Sequence, residues 1–280
     1  MGHRVEAVIF DIGGVVLRSP LLAIAAYERE HGIPNNYINC SITRRGRDGA
    51  WQKFERGEIA LLPFYDAFGR ELSDTENGNK WYAEYCERKR TGCPELPKRL
   101  SIDGRELFGR MMRESGTFDD NVVEAIHRIR ATKRWRVIAL TNNFSGTESS
   151  LRGSDETQST ATPEVDLEAE FKFLGWDQGV VPPKLRELFD DFVDSSIVGM
   201  RKPEPEFYLY ACKRNNVKPE AVVFLDDLGF NLKAAQELGM QTIHVPIGGS
   251  MGALKQLERL LGIDLTTPGR RQAPTAPSKL

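Results

Sequence analysis

Five side chains of types that can do chemistry stand just past short apolar runs. Asp11 follows Val5-Glu-Ala-Val-Ile-Phe10, Thr141 closes the run Trp135–Thr141, and Asp226-Asp227 follow Ala221–Leu225. Lys202 stands in Gly199-Met-Arg-Lys-Pro203, ahead of a helical pattern. Brought together, three carboxylates repel unless a cation lies between them. Oxygen-only ligands favour a hard cation such as Mg²⁺, which keeps waters and binds phosphate oxygens. A lysine and a hydroxyl beside that cation suit a tetrahedral dianion. An aspartate at the tip of a buried strand can attack phosphorus and form an aspartyl phosphate.

The elements that would position these residues are legible as a pattern. Four short β-rich runs, Val5–Phe10, Trp135–Thr141, Ala221–Leu225 and Gln241–Val245, alternate with helical segments Asn121–Arg130, Pro205–Asn215, Asn231–Leu238 and Met251–Leu261. Leu185–Asp190 reads as a further helix and Phe192–Val198 as a further strand. This alternation predicts an α/β fold, a Rossmann-like, doubly wound parallel sheet with helices on both faces. Ligands in such sheets sit beyond the carboxyl ends of the strands, where the five residues fall. Between Pro20 and Glu114 the pattern is helical, as in Leu21–His31, Ala60–Leu72, Trp81–Arg90 and Arg105–Glu114, which reads as an inserted helical cap. The expected division is a core of residues 1–18 and 117–265, a cap of 19–116, a polar insertion at about 145–180 and a flexible tail of 266–280.

Composition excludes several classes. The 280 residues carry Lys+Arg 38 against Asp+Glu 40, a net charge of -2, so no global basic field favours nucleic acid. No apolar run reaches the roughly 18 residues of a membrane span, and no secretory signal is expected at the N-terminus. Four cysteines without a CxxC pattern exclude a disulfide scaffold or zinc ribbon and point to a reducing compartment.

The ordered set VIFDIGG, LTNN, GMRKPEPEFY and VVFLDDLGFNLKAAQELGM resembles the four motifs of the haloacid dehalogenase superfamily, over about residues 5 to 263. Within it the likeness is closest to the phosphatase domain found at the N-terminus of soluble epoxide hydrolases and to the similar domain of acyl-CoA dehydrogenase family proteins. The resemblance implies that Asp11 is the nucleophile, that Thr141 and Asn142 bind phosphoryl oxygens, and that Lys202 steadies the nucleophile and the developing charge. It implies Mg²⁺ on Asp11, the Gly13 carbonyl and Asp227, with Asp226 supporting through water or indirect contacts. It also implies a small or lipid-derived phosphate monoester as substrate. Retention of Asp226 and Asp227 argues against carbon–halogen chemistry, which needs no metal.

One position departs from the family pattern. Asp-x-Asp is usual in its phosphatases, and its second carboxylate protonates the leaving oxygen; this chain has Asp11-Ile12-Gly13. General acid catalysis is worth about 10²–10⁴-fold. A good leaving group or another acid would compensate. The alternative is a weak or silent domain that acts as a peroxisomal ligand-binding or partner module.

Other signals read as structural. Gly248-Gly-Ser-Met-Gly252 matches G-x-S-x-G, but no histidine follows Ser250, so Ser250 is expected to cap a helix. His244, in an apolar strand, is expected to be a core histidine. Arg44-Arg45-Gly46-Arg47 is expected to be a solvated face, and Trp51, Phe54, Phe64 and Tyr65 either pack the cap or line a pocket. The Pro-rich tail ends in Ser278-Lys279-Leu280, which reads as an address for the peroxisomal import receptor, with the cytoplasm as the alternative location.

Overall fold

The computed structural model describes residues 4–146 and 166–267. Five strands, β1 (Ala7–Phe10), β2 (Arg136–Thr141), β3 (Asp191–Asp194), β4 (Val222–Asp226) and β5 (Gln241–His244), form one sheet in the order β3-β2-β1-β4-β5. Every neighbouring pair is parallel, and Phe10 lies level with Ala139 and Leu225. The Asp11 N–H continues the ladder by donating to the Leu225 carbonyl at 2.9 Å, which carries Asp11 to the edge where Asp226 begins.

The central strands β2, β1 and β4 are almost continuously apolar because both their faces are covered, whereas the edge strands β3 and β5 mix polar and apolar residues. Val8, Phe10, Val137, Ala139, Val223 and Leu225 face helices α7 (Asp120–Ala131) and α13 (Ser250–Leu261) and the short α9 (Pro183–Arg186). The alternate residues Ala7, Ile9, Ile138, Leu140, Val222 and Phe224 face α11 (Pro205–Arg214) and α12 (Gly229–Glu237).

A second hydrophobic body lies between the first and second strands of the sequence. Helices α1 (Leu21–Glu30), α2 (Tyr37–Arg44), α3 (Ala50–Glu55), α4 (Leu61–Ser73), α5 (Thr75–Lys89) and α6 (Gly104–Glu114) pack around it. In α4 the buried Leu61, Phe64, Tyr65, Phe68 and Leu72 recur at helical spacing and set its inner face. Asp103 caps α6 by accepting from the Glu106 N–H at 3.0 Å. The chain leaves and re-enters the sheet side by side: Arg18 N–H donates to the Thr117 carbonyl and Asp119 N–H to the Val16 carbonyl, each at 2.9 Å.

Five details differ from the sequence reading. The strand expected over Phe192–Val198 stops at Asp194, whose carboxylate accepts from the Ser196 N–H at 2.9 Å and starts the one-turn helix α10 (Ser195–Val198). The helix expected over Leu185–Asp190 is one turn beginning at Pro183. The expected polar insertion at 145–180 falls partly outside the described residues. From Asp166 it becomes helix α8 (Leu167–Leu174), whose Phe171 and Leu174 join the helical body's core. His244 is exposed rather than in the core, at the end of the edge strand β5. Ser250 opens α13 without a side-chain capping bond; Gly249 is the cap residue.

Phe144, three residues past β2, ties the two bodies together. It stacks on Phe54 at 4.7 Å between centroids and meets Trp51 and Phe108 edge-on at 5.5 and 5.4 Å. Burying an aromatic ring there removes a large apolar area from water. Phe144→Ala is expected to lower unfolding stability by about 3–5 kcal/mol in a urea titration, and a loss under about 1 kcal/mol would show that the ring is not an anchor.

Candidate active site

The residues singled out at the strand ends converge on one point. The Lys202 ammonium, 1 % exposed, lies 2.7 Å from Asp11 Oδ1 and 2.8 Å from Asp226 Oδ2. Asp11 Oδ1 also accepts from the Ile12 N–H at 2.6 Å. Asp227 stands beside them, and one oxygen from each of the three carboxylates lies within 4.8 Å of the others.

The two adjacent aspartates have different surroundings. Asp226 is fully buried and its oxygens are engaged: Lys202 at 2.8 Å, the Leu228 N–H at 2.8 Å, and the Asn231 amide at 3.1 Å to each oxygen. Asp227 accepts from the Ser19 hydroxyl at 3.2 Å, and it lines a cavity together with Asp11. Asp227 is therefore the member of the pair free to meet a ligand, while Asp226 holds the lysine.

Thr141 and Asn142 stand at the same rim but do different things. The Thr141 hydroxyl has only a long contact, 3.3 Å, to the Asn142 carbonyl. Asn142 braces the Lys202 backbone with its side-chain amide, accepting from the Lys202 N–H at 2.8 Å and donating to the Lys202 carbonyl at 3.0 Å.

The two glycines after Asp11 differ as sharply. Gly14 has φ +86°, and a Cβ there would lie 2.1 Å from Asp227 Oδ2, so only glycine lets this carboxylate close onto the loop. Gly13 is under no such constraint. A Cβ on it would meet only Pro20 Cδ, at an ordinary 3.6 Å, so the position has room for a side chain it does not carry.

Burial sets the proton affinities. It pushes the Asp11 carboxyl up, reinforced by Asp226 and Asp227 and opposed by Lys202. Burial and then the Asp226 charge push Asp227 up to about 7. For Lys202 burial works against the charge, but Asp11 and Asp226 outweigh it and hold the ammonium cationic. Three carboxylates surround one ammonium that reaches only Asp11 and Asp226, and a cation or protons must offset the remaining charge.

The cavity measures about 860 Å³ and lies between the strand ends and the helical body. Its walls include Leu21, Ile24, Ile42, Trp51, Met111 and Trp176. Trp51 is thus a wall residue, whereas Phe54 and Phe64 stack on each other at 4.1 Å inside the helical body and Tyr65 donates to Glu170 there. Arg44 and Arg45 are paired with Glu84 and Asp74, and Arg47 reaches the cavity wall, so the basic stretch is not simply a solvated face.

Sequence reasoning missed Ser19, Asn231 and the pair Glu55–Arg201. Ser19 is 208 residues from its partner Asp227, and no local signal marks it. Asn231, five residues after Asp226 at the start of α12, had a signal in its spacing, since a helix beginning there turns it back toward the strand end.

A family model described as haloacid dehalogenase-like hydrolase matches residues 5–239. Among curated proteins, Bifunctional epoxide hydrolase 2 of Mus musculus is 44% identical over 94% of this chain, and Acyl-CoA dehydrogenase family member 10 of the same species is 31% identical over 94%. The chain spans 39% and 20% of the length of those two proteins. Sesquiterpene phosphatase astK of Aspergillus oryzae is 26% identical, with 92% of this chain and 97% of that protein covered. A solved dehalogenase at 18% identity shares the fold with a TM-score of 0.51, over 93% of this chain and 98% of that one.

The raised carboxyl of Asp227 has a consequence for stability. Its pKa is near 7 in the fold against about 4 unfolded, so the folded state binds the extra proton in that window and stability falls as pH rises through it. Metal-free protein is expected to melt at a higher temperature at about pH 6 than at about pH 8. Asp227→Asn should raise the pH 8 value and flatten the gradient; an unchanged gradient in differential scanning would contradict the assignment.

Proposed function

The chain belongs to the haloacid dehalogenase-like hydrolases, and we propose that it is a phosphomonoesterase using Asp11 as nucleophile, on a substrate with a bulky apolar body. The observation that carries the reading is the Lys202 ammonium clamped between Asp11 and Asp226 with Asp227 left open to the cavity. The donor set suits Mg²⁺: all ligands are oxygens, three carboxylates crowd one point, and one ammonium cannot neutralise them. Asp11, Asp227 and the Gly13 carbonyl would hold the ion, with Asp226 behind them. When bound, Mg²⁺ neutralises charge on the transferring phosphoryl group.

The protein's own residues do the rest. Both contacts to Asp11 fall on Oδ1, which leaves Oδ2 as the attacking atom. Attack forms the Asp11–phosphorus bond and breaks the bond to the leaving oxygen; water then hydrolyses the aspartyl phosphate and frees inorganic phosphate. Lys202 and the Thr141 hydroxyl take the phosphoryl oxygens, and Asn142 keeps the Lys202 backbone in register. The helical body excludes bulk water above the site in the manner of a cap.

The cavity is far larger than a phosphate ion needs, and its apolar walls support a hydrocarbon-rich substrate. The Aspergillus oryzae relative is named as a sesquiterpene phosphatase, which supports the same class. Gly13 favours a second reading, a silent domain that binds such a ligand without turnover, because no carboxylate stands where the leaving oxygen would be protonated.

Asp11→Asn is expected to abolish Mg²⁺-dependent hydrolysis of an aryl phosphate while the melting curve stays cooperative; retained turnover would rule out the nucleophile. Gly13→Asp fits without a backbone clash and is expected to raise the rate on alkyl phosphates, by as much as about 10²-fold. No turnover of any phosphate by either protein would favour the binding module.

We also propose a peroxisomal setting, with the import receptor as partner, supported only by Ser278-Lys279-Leu280, which lies outside the described residues. A fluorescent fusion lacking Leu280 should move to the cytosol, and unaltered location would dispose of this proposal.

A further inference from the structure

The loop that carries Lys202 is fastened twice. Inside the core, Lys202 itself is held by Asp11, Asp226 and the Asn142 amide. The residues on either side of it turn the other way, into the helical body. Arg201 Nε donates to Glu55 Oε2 at 2.5 Å, and Glu204 Oε1 accepts from Arg56 Nη1 at 3.5 Å and from Arg47 Nη1 at 3.3 Å. The second Glu204 oxygen returns to the Arg201 N–H at 3.2 Å and closes the loop on itself.

The charges are matched in reverse order. One side offers Glu55 and Arg56 at the end of α3; the other offers Arg201 and Glu204. Glu55 is 5 % exposed, so its charge is costly to leave without Arg201, whereas the buried Arg56 is also held by Glu58 at 2.6 and 3.0 Å. The end of α3 is seated on the core by backbone as well. The Ser195 hydroxyl donates to the Glu55 carbonyl, and Gly57, at φ +70°, passes so close that a Cβ would lie 2.6 Å from the Ser196 carbonyl oxygen.

We propose that Glu55 is a positioning residue for the phosphoryl transfer: by capturing Arg201 it ties the Lys202 loop to the docked helical body and keeps the Arg201 guanidinium away from Asp11. This inference rests on the reading of Lys202 as the phosphoryl-binding lysine. Two cations stand side by side at positions 201 and 202, and three buried carboxylates, Glu55, Asp11 and Asp226, face them. With Glu55 buried opposite Arg201, the neighbouring Lys202 is the cation left to answer Asp11 and Asp226. Without Glu55, Arg201 is a second cation with no partner beside an acidic site, and the loop loses its tie to α3. The helical body then acts on the chemistry through the lysine loop as well as by covering the site.

Glu55→Gln preserves shape and removes the charge. In the full chain with Mg²⁺ and 4-nitrophenyl phosphate, kcat is expected to fall about tenfold or more while KM stays within about threefold. Amide exchange of residues 199–204 is expected to rise about tenfold, with β1 and β4 unchanged in protection. Arg201→Gln should match this loss, and the double variant should be no worse than the poorer single variant, the non-additivity of a coupled pair. Unchanged kcat and unchanged 199–204 exchange would overturn the proposal, as would a change confined to KM or a rise in exchange that spreads through β1 and β4. If the unaltered chain hydrolyses no phosphate, the phosphatase reading fails, and the exchange of residues 199–204 in Glu55→Gln still decides whether the pair holds the loop.

Discussion

One ammonium shared by two buried carboxylates is the contact on which the rest of the site depends. A lysine head group removed from water is costly unless its charge is answered at hydrogen-bond distance, and Asp11 and Asp226 answer it at 2.7 and 2.8 Å. The same contact fixes which carboxylate does what. Asp226, engaged on both oxygens, becomes part of the scaffold, whereas Asp227 keeps an open face toward the cavity. Parallel strands make this possible, because β1 and β4 end side by side and deliver Asp11 and Asp226 to one rim.

The cavity exists because two hydrophobic bodies meet at that rim without merging. The sheet and its helices bury one set of side chains, and the α1–α6 body buries another. They touch through a few members: Phe144 in the aromatic cluster, the α8 segment, and the reversed charge pairs on the lysine loop. Two of these arise from loops that also carry site residues, Thr141-Asn142 and Arg201–Glu204. The helical body is therefore linked directly to the loops that carry Thr141, Asn142 and Lys202. Close packing at the loop after β1 adds a steric limit, since Gly14 leaves no volume for a Cβ beside Asp227.

Much of this is legible in the sequence, and the reasons are local. Apolar runs such as Ala221–Leu225 ending in Asp226-Asp227 announce buried strands with acidic tips, and strand–helix alternation restricts the sheet to a parallel one. Local competition hid other details. Asp194 could continue a strand or cap a helix, and its bond to the Ser196 N–H decides for the cap. His244 belongs to an apolar run, yet it sits at the end of an edge strand, where one side is open to solvent. A pattern in one dimension carries period and composition but not the position of a strand within its sheet.

The sequence by itself determined the fold class, the identities of Asp11, Thr141, Lys202, Asp226 and Asp227 as the candidate residues, and the absence of a carboxylate at Gly13. Only the tertiary structure decided how those residues divide the work. Asn142 braces a backbone, Ser19 reaches Asp227 across 208 residues, and Glu55 meets Arg201 across 146. The reason is physical. Residue type and spacing dictate what a side chain can do, whereas hydrogen bonds and burial, which depend on neighbours distant in the chain, dictate what it is left free to do.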